Sequence, residues 1–388
     1  MIDKRLGSIA RRQLLRRDLL KGAAGFAGAG VLAGTLPGRA LAQSGEWTLA
    51  ISMRSLANPY HATFAAGGEA YAESVGAPFE VLVTEGNSEK GMADIRALLA
   101  RTGGKLVLNV DPNDSPDARV IVEECQRAGA YVVTQWNKPD DLHPWDFDPN
   151  YVAHMSFDGV PTAQAVAEAL FEAMGGEGGI VALGGILSNV PAIERKIGLD
   201  NAIAATNGKV QLLDFQPADW NETRAFEIMQ AWLTRFGDDI KGVFAANDGM
   251  AIGALEALRQ EGKAGAVPVT GIDGIEAALF AIEAGEMAGT VAWDPNWTGG
   301  IGLALGHAVA TGKIDIAAEP HSHREFYGTG IVVTPANLAE YRAMDTALDF
   351  GDFWASRRAR SSIAAEIAAR VRGVTRPAPL PSHPWRTG

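Results

Sequence analysis

Val243-Phe244-Ala245-Ala246-Asn247-Asp248-Gly249-Met250-Ala251-Ile252-Gly253-Ala254-Leu255 joins a short apolar run to a helical stretch of small residues through the polar pair Asn247-Asp248. An apolar run without polar alternation suits a strand covered on both faces. An Asn just ahead of a helix can cap it by accepting a backbone N–H. The segment therefore predicts a strand, a polar turn and a helix, the repeating half of a parallel α/β sheet.

The same unit recurs along the chain. Strands are predicted at 48–52, 79–83, 105–110, 131–134, 180–183, 210–215, 243–246, 267–272 and 290–293, with amphipathic stretches between them. In one of these, 221–236, Phe226, Met229, Leu233 and Phe236 recur at three- and four-residue spacing and form a stripe to be buried. Asp219 with Glu222 resembles a capping pair at its start. Alternating strands and helices imply parallel sheets built from right-handed crossovers. The chain of 388 residues is long for one core and fits two domains.

The amino terminus is predicted to be an address. Arg16-Arg17-Asp18-Leu19-Leu20-Lys21 looks like a twin-arginine export signal. An uncharged apolar stretch, 22–36, and then Ala40-Leu41-Ala42, a cleavage pattern, follow it. That stretch is shorter than the ~20 residues a membrane span needs. Residues 1–42 are accordingly expected to be a removable signal peptide and the protein to work in the periplasm. Gly28-Ala29-Gly30-Val31-Leu32-Ala33 fits a dinucleotide fingerprint, but no strand precedes it and it lies in the part to be removed.

The net charge of -12 falls to -18 without residues 1–42, which hold eight Lys/Arg and two Asp/Glu. Such an acidic chain disfavours nucleic acid and anionic membranes. Cys125 is the single cysteine, so no internal disulfide forms, and a buried inert thiol is expected. No Gly-x-Ser-x-Gly elbow, phosphate-cradling Gly-rich loop or Cys/His cluster is present, so no catalytic residue, cofactor or metal is expected. An exported oxidoreductase would need a dinucleotide fingerprint in the mature chain. A sugar-responsive repressor would need a DNA-binding helix-turn-helix where the signal stands. His321-Ser322-His323 lacks a third ligand nearby and is expected on a surface loop.

In open parallel sheets ligands sit beyond the carboxyl ends of the strands. Those positions hold Asn58, Tyr60, His61, Asn109, Trp136, Asn137 and Phe157 in the first half. In the second they hold Arg195, Trp220, Asn247, Asp273 and Trp293. Rings suit the C–H faces of a polyol, while amides, carboxylates and a guanidinium suit its hydroxyls. Plain structural roles compete with this one. Asp273 could cap a helix from Ile275, Asn247 could cap the helix that follows it, Arg195 could pair with acids on a solvated face, and the tryptophans could be core residues.

Four segments in unbroken order resemble the type I periplasmic sugar-binding proteins, the family of the ribose-binding protein: Ile51-Ser52 through Asn58-Pro59-Tyr60, Gln216-Pro217-Ala218-Asp219-Trp220, Phe244 through Leu255, and Gly271-Ile272-Asp273-Gly274. The resemblance runs from about Trp47 to about Thr334. It implies a type I periplasmic binding protein fold: two Rossmann-like, doubly wound parallel-sheet lobes joined by a three-segment hinge. The first lobe would comprise 43–157 plus 294–325 and the second 158–293 plus 326–348. The crossovers would fall near 157–159, 293–296 and 324–327. Residues 349–388 would form a basic, Pro-rich extension outside the resemblance.

The resemblance also implies a monomeric solute-binding component of an ABC importer. Its partners would be a small sugar or polyol, the permease transmembrane subunits and, as an added role, a chemoreceptor. The twelve strand-end residues named above would be its ligand-binding set. Where the ribose binder has an Asp-Arg pair, this chain has Trp136-Asn137; Phe157 replaces a serine and Trp293 a glutamine. Rings thus replace hydrogen-bonding groups, which predicts a compact, neutral ligand of four or five carbons in place of ribose.

Overall fold

The computed structural model describes residues 46–344 apart from 329. The export signal and the C-terminal extension lie outside the described residues.

The first lobe is a six-stranded sheet in the order β2-β1-β3-β4-β5-β11. Its strands are β1 (Thr48–Met53), β2 (Phe79–Val83), β3 (Leu106–Val110), β4 (Tyr131–Gln135), β5 (Tyr151–Phe157) and β11 (Glu325–Gly328). Every neighbouring pair is parallel. Helices α1 (Pro59–Val75), α2 (Ser88–Thr102) and α3 (Ser115–Ala128) cover it, together with α9 (Pro295–Ala310), which returns from the far end of the chain. β1, β3 and β5 are buried almost throughout, which is why they lack alternation.

The second lobe is a parallel sheet in the order β7-β6-β8-β9. These strands are β6 (Gly178–Gly184), β7 (Val210–Pro217), β8 (Ile240–Ala245) and β9 (Val269–Thr270). Isolated bridges, Thr270 to Gly289 and Asp273 to Ala292, carry it on to β10 (Thr290–Ala292), which pairs antiparallel with β12 (Ile331–Val333). Helices α4 (Gly159–Ala173), α5 (Val190–Ala205), α6 (Glu222–Phe236), α7 (Asp248–Gln260) and α8 (Glu276–Glu283) flank this sheet, and α10 (Leu338–Arg342) follows β12.

The chain thus crosses between lobes after Phe157, after Trp293 and after Gly328. The third crossing lies beyond the expected 324–327. β11 stays in register with β5 until Gly328 meets Phe157, so Glu325, Phe326 and Tyr327 belong to the first lobe. Glu325 is held there by Lys138 at 3.0 Å and His143 at 2.8 Å.

β5 was not among the expected strands because His154 and Ser156 interrupt its apolar pattern. Burial costs His154 little, since its Nδ1 lies 2.8 Å from the Thr134 hydroxyl, and burial drives its pKa down to about 3, so it stays neutral. The Asp219 and Glu222 capping pair does not form. Asn221 is the N-cap of α6, accepting from the Arg224 N–H at 2.8 Å, while Asp219 pairs with the Arg224 guanidinium. The buried face of α6 centres on Ala225, Met229 and Trp232, with Phe226, Leu233 and Phe236 packed at its margin.

α9 shows why the chain returns to the first lobe. Trp297, Ile301, Leu305 and Val309 recur every four residues and pack on Val133, Val152, Ala153 and Met155 of β4 and β5. Its other face meets α1 at backbone distance. A Cβ on Gly67 would strike the Asn296 carbonyl, and one on Gly299 would strike that of Phe64. Cys125 is buried in the core beneath α3, and burial pushes its thiol up to about 12, so it is inert.

Candidate functional site

The carboxyl ends of both sheets face a single cavity of about 60 Å³, measured as space for the centres of water molecules. The first lobe lines it with Arg54, Asn58, Tyr60, His61, Asp111, Pro112, Trp136 and Asn137. The second supplies Asn189, Pro191, Arg195, Trp220, Asn247 and Asp273.

On the first lobe, Asn58 caps α1 by accepting from the Tyr60 N–H at 3.0 Å, which starts the helix at the cavity wall. The buried Tyr60 hydroxyl accepts from the Trp136 indole N–H at 2.9 Å. Burial raises its pKa, so it remains a neutral phenol. His61 places Nε2 3.0 Å from Asp111, while its buried Nδ1 has no partner. Asn137 spends its polar atoms on the protein. Its amide donates to Asp111 at 3.2 Å and to the Pro112 carbonyl at 3.0 Å, and its oxygen accepts the Val190 N–H from the other lobe at 3.1 Å.

On the second lobe, Asn247 caps α7, accepting from the Met250 N–H at 3.0 Å, and still lines the cavity. The capping role anticipated for it is thus observed, and its side chain stands at the cavity wall as well. Asp273 caps nothing. The Ile275 N–H at the start of α8 donates instead to Asp248 at 3.0 Å, which leaves the Asp273 carboxylate turned to the cavity. Arg195 is buried, not on a solvated face. Its Nη1 donates to the Ala246 carbonyl at 2.6 Å and lies 3.9 Å from Asp273. Burial raises the Asp273 pKa, and the nearby Asp248 adds to the rise. Arg195, the Trp293 indole and Asn247 oppose it.

Asn109, Phe157 and Trp293 do not line the cavity. Asn109 lies wholly buried in β3, donating to the Thr298 and Gly299 carbonyls at 3.2 and 3.0 Å and accepting from Gln135 at 2.9 Å. These bonds fasten α9 to the sheet, use both amide hydrogens and hold the side chain in the interior, away from the cavity. Phe157 and Trp293 stand at two crossings with ring centroids 4.3 Å apart, and both pack against Trp136 behind the cavity.

Arg54, Asp111, Pro112, Asn189 and Pro191 were not anticipated. Arg54 and Asp111, with Pro112, directly follow β1 and β3, where the strand-end rule points, whereas Asn189 and Pro191 stand five and seven residues beyond the end of β6, at the start of α5, out of that rule's reach.

The lobes also touch at the cavity rim. Ser188 donates to Asp114 at 2.5 Å, and the Asn189 amide to the Asn113 carbonyl at 2.8 Å. Together with the bond from Val190 to Asn137, these contacts define a closed cleft. Away from it, His323 lies 2.7 Å from Glu319 and His321 stacks on Trp145, and no group able to hold a metal ion occurs among the described residues.

A periplasmic binding protein domain matches residues 49–314. The ribose import binding protein of Salmonella typhimurium is 31% identical over 285 residues, which is 73% of this chain and 90% of that protein. A xylitol-binding protein from Mycolicibacterium smegmatis is 34% identical over 172 residues, 44% of this chain and 48% of the relative. The crystal structure of a twin-arginine translocation pathway signal protein from Burkholderia phytofirmans is 58% identical and superimposes with a TM-score of 0.79. It covers 80% of this chain and 97% of its own. Two parallel-sheet lobes, three crossings, a cavity at facing strand ends and these relationships agree, and the chain belongs to the type I periplasmic sugar-binding proteins, the solute-binding components of ABC importers.

Proposed function

We propose that this protein captures a compact neutral polyol, a sugar or sugar alcohol of four or five carbons, by closing its lobes as a hinge and presents it to its permease. The observation that carries this reading is the balance of the cavity wall. Arg54 and Arg195 face Asp111 and Asp273, so the formal charges cancel, and neutral amides and rings supply the rest. A charged ligand would stand there uncompensated, whereas hydroxyls can both donate to the carboxylates and accept from the cations. The small cavity favours a short ligand, and the xylitol-binding relative supports a pentitol.

The role needs no chemistry of bond making, and the wall holds no nucleophile paired with a base in the manner of a hydrolase. The protein acts as a monomer. Export by the twin-arginine route, with cleavage after Ala42, rests on Arg16-Arg17 and Ala40-Leu41-Ala42 and is supported by the name of the Burkholderia relative.

A thermal-shift screen against tetritols, pentitols, pentoses, hexoses and amino acids tests the ligand class. A saturating ligand at 100 times its Kd adds ~2.7 kcal/mol of stability. Tetritols, pentitols or pentoses should raise Tm; a shift given only by hexoses or amino acids would overturn the assignment.

A further inference from the structure

The Arg195 side chain is 4% exposed, and its guanidinium carbon lies 5.4 Å from each of three indole centroids, those of Trp136, Trp220 and Trp293. The rings come from three parts of the fold. Trp136 follows β4 of the first lobe, Trp220 precedes α6 of the second, and Trp293 stands at a crossing. Each ring is fixed independently of the arginine. The Trp136 N–H is spent on Tyr60, and that of Trp220 donates to Asn189 at 2.9 Å. Gly185 packs against the Trp220 ring with no room for a Cβ, and Trp293 packs at a tilt against Phe157. Trp136 and Trp220 hold φ of 56° and 62°, a conformation bulky residues adopt only when their surroundings enforce it.

Three π faces with a carboxylate, here Asp273, beside them form the kind of receptor that takes up an organic cation. Here the chain supplies the cation itself. Its polar edge is only partly used, since Nε has no partner in the protein.

We propose that Arg195 is a specificity-determining residue: the cleft is an aromatic cation receptor plugged by its own guanidinium. The plug has two consequences. An incoming ammonium meets a fixed like charge in a buried site, so amine-bearing ligands are rejected while neutral polyols are not. It also gives both lobes and a crossing a common centre, so the box is complete only when the cleft is shut. The preference for neutral ligands rests on the proposed function; the plugged box does not.

The test uses methylguanidinium as probe, with sodium chloride as the ionic-strength control, followed by calorimetry and tryptophan fluorescence. Arg195→Ala should bind methylguanidinium saturably and at least tenfold more tightly than the wild type. Arg195→Met, which refills the box with an uncharged stem, should not. Equal affinity in wild type and Arg195→Ala, or equal affinity in the Ala and Met variants, overturns the proposal. Should Arg195→Ala be unstable, methylguanidinium must raise its Tm more than that of the wild type, and no such rescue refutes the plug. In a second arm the wild type is offered glycerol and serinol, its amino analogue. Equal binding of the two counts against exclusion of amines. A wild type that takes none of the polyols screened above refutes the proposed function, and the methylguanidinium comparison then decides this inference alone.

Discussion

Asp273 holds φ of 135°, a region strained for any residue with a side chain, and shares the cavity with two more such residues, Trp136 and Trp220. Backbone strain of this kind persists where surrounding structure enforces it and collects at binding sites. Asp273→Ala should weaken ligand binding by at least tenfold, because a charge-assisted hydrogen bond is worth ~1.5 to 3 kcal/mol. Calorimetry on both proteins decides this, and equal affinities would remove Asp273 from the site. The same carboxyl makes the empty protein sensitive to pH. Its folded pKa is raised, chiefly by burial, so the folded state holds the proton more tightly than the unfolded chain does. The resulting stability is complete below the ordinary carboxylate range and is lost as pH rises through the raised value. Asp273→Asn does not titrate. Its Tm should therefore gain on that of the wild type as pH rises from about 4 to about 7. Parallel Tm curves would show that burial of this charge costs the protein nothing.

At the scale of elements, the loop between β6 and α5 and the loops after β3 and β4 form the clasp of the cleft. Ser188→Ala removes the hydrogen bond to Asp114, the N-cap residue of α3, while leaving the cap residues Asp114 and Asn189 themselves in place. The closed form should lose ~0.5 to 1.5 kcal/mol, a weakening of affinity of roughly two- to tenfold, with Tm of the empty protein nearly unchanged. Unchanged affinity would place the clasp outside the closing reaction. The contact between α1 and α9 has a different character, since glycine alone permits it. Gly299→Ala would drive a Cβ into the Phe64 carbonyl and should destabilise the first lobe by ~1 to 3 kcal/mol, read as a lower urea midpoint. Much of this scale was legible beforehand. The strand at 243–246 and the cap at Asn247 follow from local chemistry alone. The cap of α6 was misplaced by two residues because Asp219 and Asn221 are both competent caps, and the contest is settled by Asp219 pairing with Arg224.

For the whole molecule, the expected motion is rotation of one lobe against the other about Phe157, Trp293 and the segment after Gly328. Small-angle scattering should show a smaller radius of gyration with saturating ligand than without, and an identical radius would count against a hinge. Export is tested by replacing Arg16 and Arg17 with Lys, which should leave the precursor in the cytoplasm. The sequence by itself determined the parallel α/β class, the division into two lobes and the kinds of residue at the strand ends. The class and the kinds of residue follow from periodicity, caps and the rule that ligands gather where parallel strands stop, short-range consequences of backbone geometry, while the two lobes were expected from chain length and the family resemblance. It could not separate Asn109, which is spent on the carbonyls of Thr298 and Gly299 nearly 200 residues away, from Asp111 two positions later, which reaches the cavity. Nor could it place the third crossing, which depends on how far β11 stays paired with β5. Tertiary structure alone decided these points, and alone brought Trp136, Trp220 and Trp293 around Arg195, because each depends on where distant segments meet in space.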